Sequence, residues 1–115
     1  DNCFLAAGLW RPEPRALAGI RALIKEKPVD WGKAVQSKAF KQAYTLGGRS
    51  LTRPPKGYTQ EDPFLEDLKR KDFMAVHNFS SQEAMSADFV KMVKKKYGFA
   101  TPYMRFLCEG VGIPF

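Results

Sequence analysis

An apolar segment near the start of the chain places the strongest constraint on the fold. Residues Cys3 to Trp10 (CFLAAGLW) are almost entirely apolar or aromatic, and the segment stops at Arg11-Pro12. A short apolar run that ends at a proline is typical of a mostly buried β-strand. Such a strand needs a neighbour to pair its backbone groups. We therefore expect a sheet, and we expect a strand before Cys3 to come from sequence outside this chain.

The rest of the chain predicts helices and two more short extended segments. Residues 49–51 and 73–76 are the predicted extended segments, and residues 52–58 form an ordered non-helical loop because of their paired prolines and glycine. Gly98 and Pro102 are expected to bend or break the last helix. The fold class is α+β, with a small mixed or antiparallel sheet of about three short strands packed with four to five helices. The predicted helices begin at or near Glu13, Asp30, Ser37, Asp62 and Ser86.

Length and composition fit one globular domain. The chain has 115 residues, of which 44% are hydrophobic and 27% charged, close to the averages for folded proteins. A chain of this length can bury a hydrophobic core but cannot form two domains. Residues 1–115 are therefore interpreted as a single domain or as the C-terminal part of one, that is, a fragment of a longer domain.

The sequence favours a cytoplasmic protein without a membrane anchor. It contains no apolar run long enough to cross a bilayer, and its first residues lack the basic region of a signal peptide. The two cysteines, Cys3 and Cys108, lie at opposite ends of the chain without a C-x-x-C pair. This spacing is typical of reduced thiols rather than of a disulfide framework.

Basic residues are concentrated in one half of the sequence. The formal net charge is +7, and residues 1–60 carry all of it, with 11 Lys/Arg against 4 Asp/Glu, while residues 61–115 are balanced. This excess makes nucleic acid a candidate partner. Nucleic acid is not favoured, because the basic residues fall on the outer faces of predicted helices and no known nucleic-acid module is present.

The proline-rich loop at residues 53–58 (RPPKGY) is the best candidate site. Prolines hold the charged and aromatic side chains at little ordering cost, and a fixed arginine suits a phosphate or carboxylate group. Alternatively, Arg53 and Lys56 bind carbonyls or pair with Asp72 and nearby acidic residues, and the prolines only shape a connection. The predicted ligand-binding residues are Arg11, Arg53, Lys56, Tyr58 and Arg70.

Other chemistry lacks the residues that it needs. His77 is the only histidine and has no cysteine or carboxylate partners at metal-binding spacing, so no metal site is predicted. Neither a nucleophile motif nor a glycine-rich phosphate-binding motif is present, so no cofactor and no catalytic residue are assigned. Glu61, Asp62, Glu66 and Asp67 are interpreted as the acidic start of a helix.

Three motifs and a closing segment resemble a known family. They are GLWRPEP (residues 8–14), LTRPPKGY (residues 51–58), DLKRKDFMA (residues 67–75) and PYMRFL (residues 102–107). Their order and spacing are similar to those of the family called domain of unknown function 2461, and the resemblance covers essentially the whole chain. Members of that family are longer, so the resemblance implies that this chain is a C-terminal half. It implies no activity and no catalytic residue.

Three hypotheses of function remain. The first is a site for a small anionic ligand, which is the preferred one. The second is nucleic-acid binding through the basic first half. The third is a structural or interaction role, in which the open edge of the first strand pairs with a missing N-terminal segment or another chain.

Overall fold

The protein folds into a three-stranded antiparallel sheet and six helices within residues 3–115, which are the residues that the computed structural model describes. The α+β prediction is confirmed. There are more helices than the expected four or five, since Ser81–Ala84 forms a helical turn of its own. The elements are β1 (Cys3–Leu9), α1 (Pro14–Glu26), α2 (Pro28–Gln36), α3 (Lys38–Ala43), β2 (Thr45–Gly47), α4 (Leu65–Leu68), β3 (Phe73–Phe79), α5 (Ser81–Ala84) and α6 (Phe89–Val111).

The sheet has the strand order β1-β3-β2, so β3 lies at its centre. Along its full length β1 pairs with β3, from Cys3 opposite Phe79 to Leu9 opposite Phe73. The much shorter β2 pairs only with residues 74–76 of β3. The sheet therefore has one long edge strand and one short edge strand.

The second predicted strand is misplaced by a few residues. The ladder contains Thr45–Gly47, whereas residues 49–51 make only one isolated bridge, from Ser50 to Arg70. Between the two segments, Gly48 adopts a φ of +105°, a conformation that ends a strand. The chain then turns and runs beside residues 69–71, which places two basic segments next to each other.

Helices α1 and α6 approach each other closely through glycines. A Cβ atom on Gly19 would lie 2.2 Å from the carbonyl oxygen of Gly110, and one on Gly110 would lie 2.9 Å from the Cα of Ile20. The two helix backbones are therefore almost in contact. This contact helps to bury Ile20 completely.

Aromatic side chains fill the space between the helices and the sheet. Trp31 of α2 is fully buried and makes an edge-to-face contact with Phe73 of β3, with ring centroids 5.9 Å apart. It also contacts Tyr103 and Phe106 of α6 at 5.9 and 5.1 Å. Such pairs add to the stabilisation that comes from burial alone. The core thus joins α2, α6 and the start of β3.

Two predicted helix starts differ from the observed ones. Asp30 lies in the first turn of α2, which begins two residues earlier at Pro28, a favourable residue for a first turn. Asp62 does not cap α4, because its carboxylate accepts a hydrogen bond from the backbone N–H of Thr59 at 2.8 Å. Helix α4 instead follows Phe64, which has a left-handed conformation. By contrast, Ser37 caps α3 as predicted.

The last helix begins later than predicted and is longer. Ser86 accepts a hydrogen bond from the backbone N–H of Asp88, which directly precedes α6. The helix then continues through Gly98 and Pro102, so of the predicted bend or break, the break is wrong. Pro102 is exposed, and the helix beyond it is held by buried contacts of Tyr103 with the core. Tertiary packing thus outweighs the local cost of the proline.

Within residues 3–115, no helix combines the length and the apolar character needed to cross a membrane. Cys3 and Cys108 are both partly buried free thiols.

Candidate functional site

A buried carboxylate organises the end of the sheet at which β1 ends and β3 begins. Asp72 directly precedes β3 and is completely buried. It accepts hydrogen bonds from the backbone N–H of Arg11 at 2.7 Å and of Arg49 at 2.9 Å. The Nε and Nη2 atoms of Arg49 also donate to it, each at 2.9 Å. One carboxylate therefore fixes two arginine residues from distant parts of the chain.

The ionisation state of Asp72 follows from these contacts. Hydrogen bonds from the Arg49 guanidinium, together with the backbone N–H groups of Arg49 and Arg11, hold the pKa of this carboxyl well below its usual range. Burial acts in the opposite direction but is outweighed. Asp72 is consequently ionised at neutral pH, and the same hydrogen bond raises the pKa of Arg49.

Arg11 has an unusual backbone conformation. Its φ of +52° lies in the left-handed region, which is unfavourable for a residue with a side chain. The hydrogen bond from its N–H to Asp72 holds it there. Its guanidinium lies 4.9 Å from the centre of the Trp10 ring, and both side chains are exposed. Strained residues of this kind often occur at functional sites.

Arg49 keeps much of its binding capacity. Asp72 takes two of the five N–H donors that a guanidinium offers, and 45% of the side chain remains exposed. Close approach of the Asp72 side chain requires the neighbouring glycine, because a Cβ on Gly48 would lie 2.6 Å from the Cβ of Asp72. The exposed donors of Arg49 are therefore held in a fixed direction.

A second carboxylate binds one more arginine nearby, and the backbone of that arginine binds another. Asp67 accepts hydrogen bonds from the Nε of Arg70 and from the indole Nε1 of Trp31, both at 2.8 Å. The backbone carbonyl of Arg70 accepts a hydrogen bond from Nη2 of Arg21 at 3.0 Å. Burial lowers the pKa of Arg21, whose buried Nε has no hydrogen-bond partner within residues 3–115. This group therefore carries more positive charge than its single carboxylate balances.

The proline-rich loop lies against helix α1. The Tyr58 ring lies 5.2 Å from the ammonium of Lys25, which also pairs with Asp62 at 3.5 Å. Pro55 is buried and its carbonyl accepts a hydrogen bond from the N–H of Tyr58. Tyr58 is thereby anchored by a rigid turn, as the prolines predicted.

The comparisons with known proteins place the chain in a family. Residues 1–106 match the family described as conserved hypothetical protein (DUF2461). The chain belongs to this family. Searches of curated proteins and of solved structures gave no significant match. The family match includes every residue of the predicted ligand site, but the family's description assigns no activity.

The structure brings some of the predicted ligand residues together. Arg11 and Arg70 both lie near Asp72 and the 49–51 segment, because Asp72 binds the backbone of Arg11 and Arg49 while Ser50 bridges to Arg70. Arg53 and Lys56 are exposed and make no hydrogen bond or ion pair within residues 3–115. The suggested pairing of these two side chains with Asp72 is wrong, since Arg49 occupies that carboxylate.

Two functional candidates were missed from the sequence. Arg49 was placed in a predicted extended segment and Arg21 was counted only among the basic residues on the outer faces of predicted helices, whereas both contact the network around Asp67 and Asp72. A charged residue directly before an apolar strand, as in Asp72-Phe73, was the available signal for a buried ion pair. We define the arginine cluster as Arg11, Arg21, Arg49 and Arg70.

A groove of about 260 Å³ lies beside the arginine cluster. Its lining includes the cationic residues Arg70 and Lys41 together with Tyr44 and Thr45. The hydroxyl of Tyr44 donates to the carbonyl of Lys96 at 2.6 Å, so this side chain is held in place. The groove has the size and charge to accept a small anionic group next to Arg70.

His77 contacts the end of helix α3. Its Nδ1 is in hydrogen-bonding contact with the carbonyl of Ala43, and its ring stacks edge-on against Phe79. Within residues 3–115, no group of three or more His, Cys, Asp and Glu side chains is arranged to hold a metal ion.

Proposed function

We propose that this protein binds a small anionic ligand, one that carries a phosphate or carboxylate group, through the arginine cluster. A single observation carries the proposal: the buried carboxylate of Asp72 holds both the backbone of Arg11 and the guanidinium of Arg49. A surface arginine needs no such support for solubility. A fixed guanidinium with free donors does suit a ligand with paired oxygen atoms.

Preorganisation is the physical advantage of this arrangement. A free arginine side chain loses much rotational freedom when it binds an anion. Arg49 has already lost that freedom, because Asp72 holds its Nε and Nη2 atoms. The remaining donors point away from the carboxylate, so they can contact a ligand without further ordering. The conformational entropy that Arg49 loses is therefore lost on folding and not on binding.

The electrostatic balance also favours an anion. The cluster has four arginines and two neighbouring carboxylates, of which Asp72 binds the guanidinium of Arg49 and Asp67 that of Arg70, which leaves the group with net positive charge. Lys41 adds another cation across the neighbouring groove. Partly buried charges are screened by salt less than exposed ones. An anionic ligand would complete the neutralisation of this part of the molecule.

The proline-rich loop provides a second set of donors in this proposal. Tyr58 fixes the end of the loop on α1, the helix that also carries Arg21. Arg53 and Lys56 are exposed, and the prolines at 54 and 55 restrict the backbone that carries them. We assign these two side chains to a part of the ligand that lies beyond the group bound by Arg49.

A cytoplasmic location is part of the proposal. Cys3 and Cys108 are free thiols, and reduced thiols persist in the cytoplasm. Cell fractionation tests this assignment, and recovery of the protein only from an extracytoplasmic fraction would contradict it.

Calorimetric titration tests the ligand site directly. The probes are inorganic phosphate, a phosphorylated sugar and a dicarboxylate, each added to the wild type and to R49Q. We expect saturable binding of at least one probe, with affinity at least about tenfold weaker in R49Q because bidentate charged hydrogen bonds are lost. The control is K95Q, which removes the same charge from the exposed side of α6.

Two results would contradict the proposal. One is the absence of saturable binding of any probe by folded wild-type protein. The other is an equal loss of affinity in R49Q and K95Q, since this would show that only net charge matters. If duplex DNA bound with a steep salt dependence while the small probes did not, the nucleic-acid alternative would replace this one.

A further inference from the structure

An exposed tryptophan lies directly beside the arginine cluster. Trp10 follows β1 and precedes Arg11, and 67% of it is exposed to solvent. The other tryptophan of the chain, Trp31, is fully buried and packs against three aromatic rings. A tryptophan side chain carries a large apolar surface and is usually mostly buried. The position of Trp10 is therefore not explained by packing of the core.

The Trp10 ring is held in place by its neighbour in the chain. The guanidinium of Arg11 lies over this ring, 4.9 Å from its centre, which is a stabilising arrangement. The backbone of Arg11 is fixed in turn, because its N–H donates to the buried carboxylate of Asp72. Arg11 thus covers one face of the indole. Since most of the side chain is exposed, the opposite face is accessible to a ligand.

Trp10 is also close to the donors of Arg49. The N–H of Arg11 and the Nη2 of Arg49 both donate to Oδ1 of Asp72, at 2.7 and 2.9 Å. Two donors to one oxygen atom lie within two hydrogen-bond lengths of each other. The nitrogen of Arg11 is covalently bonded to the carbonyl carbon of Trp10. One small molecule can therefore contact both the indole ring and the guanidinium of Arg49.

Strand pairing within the described chain sets this position of Trp10. Leu9 pairs with Phe73, so Trp10 and Asp72 are the next residues at this end of the β1–β3 ladder. Cys3 pairs with Phe79 at the opposite end. The seven residues of β1 separate the two ends by about 20 Å, at 3.3 Å per residue. The indole and the arginine cluster therefore belong to the same end of the sheet.

An accessible aromatic face beside a fixed guanidinium suits a nucleotide. Nucleobases stack on aromatic side chains, and this stacking accepts every base because each has a flat π-face. A phosphate group takes the paired donors of an arginine. A simple phosphate or carboxylate would use the arginines alone. A ligand that carries both a base and a phosphate would use Trp10 as well.

We propose that the ligand of the arginine cluster is a nucleotide, whose phosphate binds the free donors of Arg49 and whose base stacks on the accessible face of Trp10. This inference rests on the proposed function, because the phosphate occupies the same site. Trp10 provides one stacking position beside a fixed guanidinium, which matches a mononucleotide. Single-stranded nucleic acid is instead bound by successive aromatic side chains along a basic groove.

The test compares adenosine 5′-monophosphate with ribose 5-phosphate, which has the same sugar and phosphate but no base. By calorimetry, the nucleotide should bind about fivefold tighter or more, because only its base can stack on an aromatic ring. In W10L this preference should fall to near one, and W10F should retain part of it. The control is F4L, which removes an exposed aromatic ring at the other end of β1 and should keep the preference.

Tryptophan fluorescence provides an independent readout. The nucleotide should quench the emission saturably, whereas ribose 5-phosphate should change it little. The quenching should be lost in W10L, whose remaining tryptophan, Trp31, is fully buried. Circular dichroism checks that the variants are folded, which we expect because Trp10 and Phe4 are exposed.

The outcomes separate this inference from the proposed function. If both phosphate compounds bind equally and R49Q weakens both, the anion site stands and the nucleotide assignment is wrong. If neither compound binds saturably, both proposals are wrong. A nucleotide preference that persists unchanged in W10L would also overturn the inference, because the base would then bind elsewhere. If a single-stranded adenine oligonucleotide binds much more tightly than the mononucleotide, a nucleic-acid strand replaces the free nucleotide as the ligand.

Discussion

Asp72 is the residue on which the candidate site depends most. It is fully buried, and its hydrogen bonds connect the end of β1 with the segment after β2. A buried carboxylate is stable only when its desolvation is compensated by donors. Arg11 and Arg49 supply these donors, so the local fold and the fixed position of the arginines have the same cause.

Replacement of this carboxylate should lower stability strongly. In D72N, an amide NH₂ would face backbone and guanidinium donors, so at least one buried hydrogen bond would be lost. We expect the free energy of unfolding to fall by about 2–4 kcal/mol at neutral pH, as measured by urea denaturation. D88N is the control, because Asp88 is exposed and its side chain makes no capping hydrogen bond. A loss below about 1 kcal/mol in D72N would contradict this role.

The pH dependence of stability provides a separate prediction. Because the pKa of Asp72 is lower in the folded protein than in the unfolded chain, its stabilising contribution is complete above the unfolded value of about 4 and is lost as pH falls further. The stability difference between wild type and D72N should thus be constant near neutral pH and shrink below about pH 4. A difference that instead shrinks between about pH 5 and 8 would show that another group is responsible.

At the scale of single residues, the sequence predicted the types of residue in the network better than it predicted which of them contact each other. Arg11 and Arg70, two of the predicted ligand-binding residues, lie near a common network, and their binding of a ligand stays a prediction. The partner of Asp72 was not, because the choice among several basic residues depends on the turn at Gly48. That turn brings Arg49, rather than the loop residues, against the buried carboxylate. Tertiary geometry thus determines which basic residue binds Asp72, and this kind of contact produces no periodic pattern in the sequence.

At the scale of secondary-structure elements, α6 contains two glycines with opposite roles. A Cβ atom on Gly98 would meet no other described part of the chain within 4 Å, whereas Gly110 lies against the backbone of α1. Glycine in a helix interior is unfavourable unless close packing requires it. Of these two positions, Gly110 alone has such a requirement.

Substitution of these glycines should therefore change stability in opposite directions. G98A should raise the free energy of unfolding by about 0.5–1 kcal/mol through better helix propensity. G110A should lower it by about 1–3 kcal/mol, because the new methyl group would press on Ile20 and separate α1 from α6. Thermal or urea unfolding of the two variants measures both effects. Equal changes of the same sign would contradict the packing of these helices.

The elements with a strong apolar pattern were predictable from the sequence. The starts of helices that depend on local capping were predicted less well. The strand at Cys3–Leu9 and the helix at Pro14–Glu26 follow from apolar pattern and prolines. The starts of α4 and α6 were misjudged because Asp62 and Ser86 bind backbone groups of their own turns. Aspartate and serine stabilise turns and helix starts by the same type of hydrogen bond, so sequence alone does not separate the two roles.

At the scale of the whole molecule, the arginine cluster combines residues from both halves of the sequence. Residues from the basic first half, such as Arg11 and Arg49, meet Arg70 from the balanced second half around Asp67 and Asp72. The division of charge along the sequence therefore did not reveal the arginine cluster. Within residues 3–115, β1 lies at one side of the sheet and pairs only with β3.

The most direct test of the central claim is an NMR titration of isotope-labelled protein with inorganic phosphate, followed through the arginine Nε–Hε signals and the backbone amides. If the arginine cluster is an anion site, the Arg49 side-chain signal and the Arg11 amide should shift together and saturably. The signal of Arg105, on the far helix, should stay constant. Linear shifts of similar size at all arginines, or no shift at Arg49, would contradict the account.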